Sequence, residues 1–286
     1  MSRLPPSSAV RYFRSATLRW YRRTGRSFAW RRASAPLYHQ IVVEVLLQRT
    51  RAETVQAFLS EFLVEYPSWR SLAESSPSAI AEVVRPIGLW QRRGMALHAL
   101  GLEMARRRGR FPLARKEIEE LPAVGQYVAN AIELFAFDRP RPLLDSGMAR
   151  VLERYFGPRE LADIRYDPYL QALSARVVRC AKPKEINWAV LDLAAAHCRP
   201  TGPTCTECPL RRRCLHVRAN RPRKCPTSSQ PARRISLKKS ENERRALPSG
   251  ETEVQAVPSG FAKLILPRGL HPPQYRRGGP ARGWGG

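Results

Sequence analysis

Acidic side chains are scarce in this chain, and they come late. No Asp or Glu precedes Glu44, by which point nine Arg have passed. Over all 286 residues, 24 acidic side chains stand against 50 Lys and Arg, a net charge of +26. The surplus predicts an anionic partner, nucleic acid first. It runs the length of the chain, so it is not simply a basic tail on an unrelated enzyme. Long apolar runs are lacking too. The nearest, residues 41–47, is broken by Glu44 and falls far short of the ~20 residues a membrane helix needs. No signal-peptide h-region is visible. The Arg- and Ser-rich start has the composition of a transit peptide, but from Arg11 the chain already reads as folded. No stretch alternates as a strand does. Cysteines are few, six in all, and four crowd between Cys198 and Cys214. That distribution does not suit the spread framework of a disulfide-stapled secreted protein and points to a metal site in a reducing compartment.

What is present is helical. Hydrophobic residues make up 43%, enough for a core. They recur at three- and four-residue spacing in 41–47, 55–64, 80–84, 97–104, 128–137 and 148–155. Pro36, Pro67, Pro77, Gly88, Pro112 and Pro140 punctuate them. The reading is an all-α core over 11–218 after a flexible 1–10. Residues 219–286, rich in Pro, Gly, Ser and Arg with 14 basic against 4 acidic side chains, read as a disordered tail.

Cys198, Cys205, Cys208 and Cys214 fall within 17 residues. Structural zinc usually takes two well-separated Cys-x2-Cys knuckles, and only one such pair is here. Four thiolates suit a cubane iron–sulfur cluster better. Cys180 and Cys225 are left over as ordinary thiols. Upstream, Leu121-Pro122-Ala123-Val124-Gly125-Gln126-Tyr127 reads as helix, tight hairpin, helix, whose exposed N–H groups can bind a phosphate. If position 123 needs a positive φ, Ala there costs about 1 kcal/mol. Eighteen residues after Tyr127, Asp145 opens another helix as its N-cap. Glu44 sits among six aliphatics in residues 41–47. Partial burial there raises its pKa and suits a general acid, the alternative being a solvent edge of the helix.

Together these motifs resemble the helix-hairpin-helix DNA glycosylase superfamily, over roughly residues 11–218. The cysteine spacing is similar to that of endonuclease III and MutY, and the hairpin to the L-P-G-V-G of the superfamily, with Ala123 in place of a usual Gly. The segment from Trp20 to Arg31 resembles the start of MutY and Mig catalytic domains, and residues 44–50 their E-V-M-L-Q-Q-T and E-I-L-L-R-R-T runs. The resemblance implies a [4Fe-4S] cofactor on the four cysteines and Asp145 as the catalytic carboxylate. Such a charge stabilises the positive sugar that forms as the glycosidic bond breaks. It also puts Glu44 in the base pocket, with Gln48 and Leu89 entering the duplex as the base is flipped out. At the position of Tyr127, endonuclease III carries a Schiff-base Lys, MutY a Ser and Mig-type G·T mismatch enzymes a Tyr, so no lyase activity is expected.

The expectation is therefore a two-lobed, all-α glycosylase fold with a C-terminal cluster loop. A helical block 36–139 forms one lobe. Residues 11–35 plus 141–218 form the other, and the base pocket lies between. Leu121, Val124, Gly125, Arg92 with its neighbour Arg93, and Arg211 with Arg199, Arg212 and Arg213 are expected to meet DNA. The partner is double-stranded DNA with a mismatched or damaged base, acted on by a monomer in a bacterial or archaeal cytoplasm. Thymine or uracil opposite guanine is the expected substrate. The alternatives are an adenine glycosylase acting on A·G or A·8-oxoguanine, and a non-catalytic, cluster-bearing DNA-binding or damage-sensing protein.

Overall fold

The computed structural model describes residues 4–220. Of the tail read over 219–286, residues 221–286, Cys225 included, lie outside them, and Ala219 closes the last helix. Among the described residues every regular element is helical. α1 (Ser7–Thr24) leads to a short 3-10 turn at Ala29–Arg31, then α2 (Leu37–Leu46), α3 (Ala52–Glu65), α4 (Trp69–Glu74) and α5 (Pro77–Val84). α6 (Trp90–Arg106), α7 (Arg115–Glu119), α8 (Gln126–Ala136), α9 (Ser146–Phe156), α10 (Pro168–Val178), α11 (Pro183–Ala196) and α12 (Leu215–Ala219) follow. None of these is long and apolar enough to cross a membrane.

Local chemistry sets many of the boundaries. Ser68 and Ser71 form a reciprocal capping box at α4, and Ser76 caps α5 with Pro77 in its first turn. Asp145 and Asp167 cap α9 and α10 through the backbone N–H of Met148 and Leu170, each at 2.6 Å. α6 lies tightly on α5 because Gly94 faces it: a Cβ there would stand 2.4 Å from the Pro77 carbonyl oxygen.

The apolar faces bury into two clusters. The first takes α2, α3, α8 and the α4–α6 layer, together with Phe28 and Trp30. The second joins α1, α9, α10 and α11. Phe28 and Trp30, expected with the second group, belong to the first core, stacked on one another at 4.5 Å. The chain passes from the second core to the first between Trp20 and Phe28 and returns within a single residue: Leu143 is buried in the first, Leu144 in the second. Asp145 follows at that seam. The start of the chain is also more ordered than composition indicates. α1 begins at Ser7, not Arg11, and Val10 is buried. Arg176 of α10 ties it down, donating to the Pro5 carbonyl at 2.7 Å and the Ser7 hydroxyl at 2.6 Å.

Candidate active site

The seam is held by buried amides. Asn130 of α8 donates to the Pro142 carbonyl at 2.8 Å, and Asn187 of α11 accepts from the Leu143 N–H at 2.7 Å while donating to the Arg141 carbonyl at 3.0 Å. Asp145 is thus delivered by a backbone pinned from both sides, then fixed by its own cap. Gly147 leaves room for it: a Cβ at Gly147 would stand 3.1 Å from both Asp145 Oδ1 and Ala194 Cβ. Burial pushes the Asp145 carboxyl above its ordinary range, and the N–H groups of Met148 and Gly147 pull it partly back.

Glu44 and Tyr127 stand 83 residues apart in sequence and meet in space. The Tyr127 phenol donates to Glu44 Oε2 at 3.0 Å. Glu44 is only 2% exposed, so it is no solvent-edge residue. Burial pushes its pKa up to about 7, against the lowering from the Tyr127 hydrogen bond and the Arg31 charge. The phenol itself is pushed well above 10, first by burial, then by the charges of Glu44 and Asp145. Glu44 and Tyr127 thus each feel the other and the charge of Asp145. The three groups make a site with one buried acid that is half-protonated near neutrality, one phenol held as a donor, and one capped carboxylate.

Sequence reasoning gave no role to Arg31, whose charge acts on both Glu44 and Tyr127. It is held by Asp192 at 3.0 Å and lies over the Phe28 ring at 4.8 Å. Asp192 is itself buried and pairs also with Arg26 at 2.7 Å. A lone Asp inside the apolar run of α11 was the available signal, since buried carboxylates need partners.

The DNA-facing expectations divide. Gln48 and Leu89 are exposed, Leu89 by 50% and with a left-handed φ of 52°. Arg92 is exposed at the start of α6. Arg93, read as a second phosphate contact, is instead buried and bonded to backbone carbonyls. The side chains of Leu121 and Val124 pack in the first core, so a DNA role for them rests on their main chain. Ala123, not Gly125, holds the left-handed position of the hairpin, with φ 63°. Gly125 is extended and exposed at the N-terminus of α8, with nothing near a Cβ. Ala123→Gly should therefore raise stability by about 0.5–1 kcal/mol, the strain relieved less the extra chain entropy. Denaturant titration checks it, and an unchanged midpoint would show the turn already relaxed.

Cys198, Cys208 and Cys214 pack against the second core, and Cys208 feels the charges of the other three cysteines. Arg154 of α9 reaches the group, with Nη1 3.5 Å from Cys198 Sγ and 2.8 Å from the Arg199 carbonyl. Among the described residues, no three Cys, His, Asp or Glu side chains converge closely enough to grip a single metal ion. Of the loop arginines, Arg211 donates to the Thr206 carbonyl at 2.9 Å and Arg213 lies over the Tyr12 ring at 4.1 Å. Arg199 donates to the Gly202 carbonyl at 3.2 Å, and Arg212 is exposed.

A family model described as HhH-GPD superfamily base excision DNA repair protein matches residues 42–177, from α2 into α10. The thymine-DNA glycosylase of Aeropyrum pernix is 34% identical over 212 residues, covering 72% of this chain and 95% of the relative. The thymine/uracil-DNA glycosylase of Pyrobaculum aerophilum is 37% identical over 205 residues, covering 69% of this chain and 88% of the relative. Among solved structures, a thermostable thymine-DNA glycosylase superposes with a TM-score of 0.68 at 29% identity, over 74% of this chain and 98% of that one.

Proposed function

The chain belongs to the HhH-GPD superfamily of base excision DNA repair proteins, and from that premise we propose that it is a monofunctional DNA N-glycosylase that flips out and excises thymine or uracil opposite guanine. The observation that carries this reading is the Tyr127 phenol bonded to buried Glu44 beside capped Asp145. A phenol cannot form the imine through which an amine nucleophile would cut the strand.

In this reading the bond between C1′ and the base nitrogen breaks with its electron pair leaving on the base. The ionised Asp145 carboxylate stabilises the cationic sugar and orients the water that adds to it. Thymine leaves as a stabilised anion, so it needs less protonation from Glu44 than a purine would. A wobble G·T pair is already weakened, which lowers the cost of flipping. The main-chain N–H groups opening α8 at Gly125 supply a phosphate anchor. Gln48, Leu89 and Arg92 face the duplex, and Arg211 with the exposed Arg212 meets it from the cysteine loop.

The test is single-turnover excision from G·T, G·U, A·G and A·8-oxoguanine duplexes, with Glu44→Gln run alongside. Thymine and uracil should leave fastest, the product strand should break only after alkali, and borohydride should trap no covalent complex. Fastest release of adenine, abolished by Glu44→Gln, would replace this reading with that of an adenine enzyme. Binding without excision of any base would replace it with a damage sensor.

The same reading gives Cys198, Cys205, Cys208 and Cys214 to a [4Fe-4S] cluster. Three of the four thiols pack on the second core, Arg154 lies against Cys198 Sγ, and Cys205 acts electrostatically on Cys208; such a donor set fits its ligand chemistry. When bound, the cluster would cross-link the loop after α11 and add folding energy, as structural metals do. Anaerobically purified protein should contain iron and sulfide, and Cys205→Ala should be insoluble or unfolded. Stoichiometric zinc without iron would overturn the assignment.

A further inference from the structure

One buried guanidinium ties together the two loops that carry Gln48 and Leu89. Arg93, only 5% exposed, is in the first turn of α6. Its Nη1 donates to the carbonyls of Ile87, at 2.6 Å, and Gly88. Its Nη2 donates to the Leu46 carbonyl at 3.1 Å, the Gln48 carbonyl at 2.6 Å and the Thr50 hydroxyl at 2.7 Å. One side chain thus satisfies acceptors on both loops, 45 residues apart in the case of Gln48. Among the described residues no carboxylate pairs with Arg93.

Both loops hold non-glycine residues in the left-handed region, Arg49 at φ 59° and Leu89 at φ 52°. Such backbone persists only where surrounding contacts over-determine it. At Leu89 the cause is visible: the carbonyls of the two preceding residues both point at Nη1. At Arg49 the flanking acceptors, Gln48 and Thr50, both receive Nη2.

We propose that Arg93 is a positioning residue that locks the Gln48 and Leu89 loops into a single wedge, so that the two side chains enter the duplex together and hold it open. This rests on the reading of Gln48 and Leu89 as duplex-entering residues. The planar fork of Arg spans both loops with separate N–H groups. A Lys ammonium is a point donor and cannot reach both in fixed geometry. Arg93 touches neither Glu44 nor Tyr127 through any of these bonds, so its effect belongs to base flipping and not to bond breaking.

The experiment uses the full chain and a G·T duplex with 2-aminopurine beside the thymine, whose fluorescence rises when the stack opens. It compares Arg93→Lys, Leu89→Ala, the double variant and Thr50→Val, with uracil opposite an abasic site as a substrate that needs no wedge. Arg93→Lys should lose most of the fluorescence rise and about 30-fold in single-turnover excision from G·T, in line with the loss of several hydrogen bonds to one charged group. It should lose under about threefold on the unpaired uracil, and adding it to Leu89→Ala should cost little more, because the two act as one unit. Thr50→Val, which removes one acceptor of Arg93 and the hydroxyl's own 3.4 Å bond to the Ile87 carbonyl but leaves Arg93 in place, should show the same pattern at about fivefold.

Equal losses on paired and unpaired substrate, or additive losses in the double variant, would make Arg93 a merely structural residue and overturn the proposal. If Arg93→Lys does not fold, Thr50→Val decides, and normal flipping by that variant counts against the proposal. Normal flipping by Leu89→Ala would instead show the wedge reading itself to be wrong.

Discussion

Asp145→Asn should remove almost all excision while leaving the fold and DNA binding intact. Asn is as good an N-cap as Asp, so the hydrogen bond from the Met148 N–H, 2.6 Å in the parent, survives. The buried site disfavours the Asp145 charge, so its removal does not destabilise the protein. On the proposed function, what disappears is the fixed negative charge that faces the developing cation on the sugar. Losses of that kind are on the order of 10²–10⁴ in rate, several kcal/mol of transition-state stabilisation. Single-turnover excision measures it. Binding measured against salt should keep the steep dependence expected when phosphates are neutralised. Near-normal excision would mean that another carboxylate does the chemistry.

Glu44→Gln should make the protein more stable at alkaline pH and leave it unchanged in acid. In the fold Glu44 holds its proton up to about pH 7, against an ordinary value of 4.5. Below about pH 4.5 both the folded and the unfolded chain carry that proton, and the group contributes no pH dependence. As pH rises from there to about 7 the unfolded chain loses its proton first, so stability falls. Above about 7 the folded carboxyl must also ionise in a buried site, and the full gap corresponds to about 3 kcal/mol. Gln keeps an oxygen to accept the Tyr127 phenol and never ionises. The variant should therefore exceed the parent by up to about 3 kcal/mol at pH 8, several degrees in Tm for a domain of this size, and match it at pH 4. Thermal unfolding across pH checks this. A parent whose stability is flat from pH 5 to 8 would show that water or a nearby cation already compensates the charge.

Much of this was legible in order of locality. The cap at Asp145 sits where the sequence placed it, Pro67 and Pro77 mark the turns leading into α4 and α5, and the helices α2, α3, α5, α6, α8 and α9 lie where the periodicity placed them. α10 buries one face, but Ser174 interrupts its apolar stripe. α11 carries no single stripe because Trp188 and Leu191 pack against the first core while Ile186, Val190 and Leu193 bury in the second. Arg93 was misread as a phosphate contact because a basic residue next to Arg92 on a loop looks exposed. Nothing local reveals that carbonyls from two loops fold over it. The sequence alone raises a positive φ at position 123, but only the folded hairpin shows that Ala123 takes it while Gly125 stays extended.

The sequence by itself determined an all-helical, strongly basic chain, with four cysteines gathered in one loop and an Asp set to cap α9. These follow from spacing of a few residues and from composition, which need no knowledge of what lies across the fold. Only the tertiary structure decided that Leu143 and Leu144 part into different cores, that Glu44 and Tyr127 share a proton-bearing bond, and that Arg31 sets its charge against both. Burial and long-range charge are properties of what packs around a residue. A pKa near 7 on Glu44 exists only once α2, α8 and the seam have closed on it.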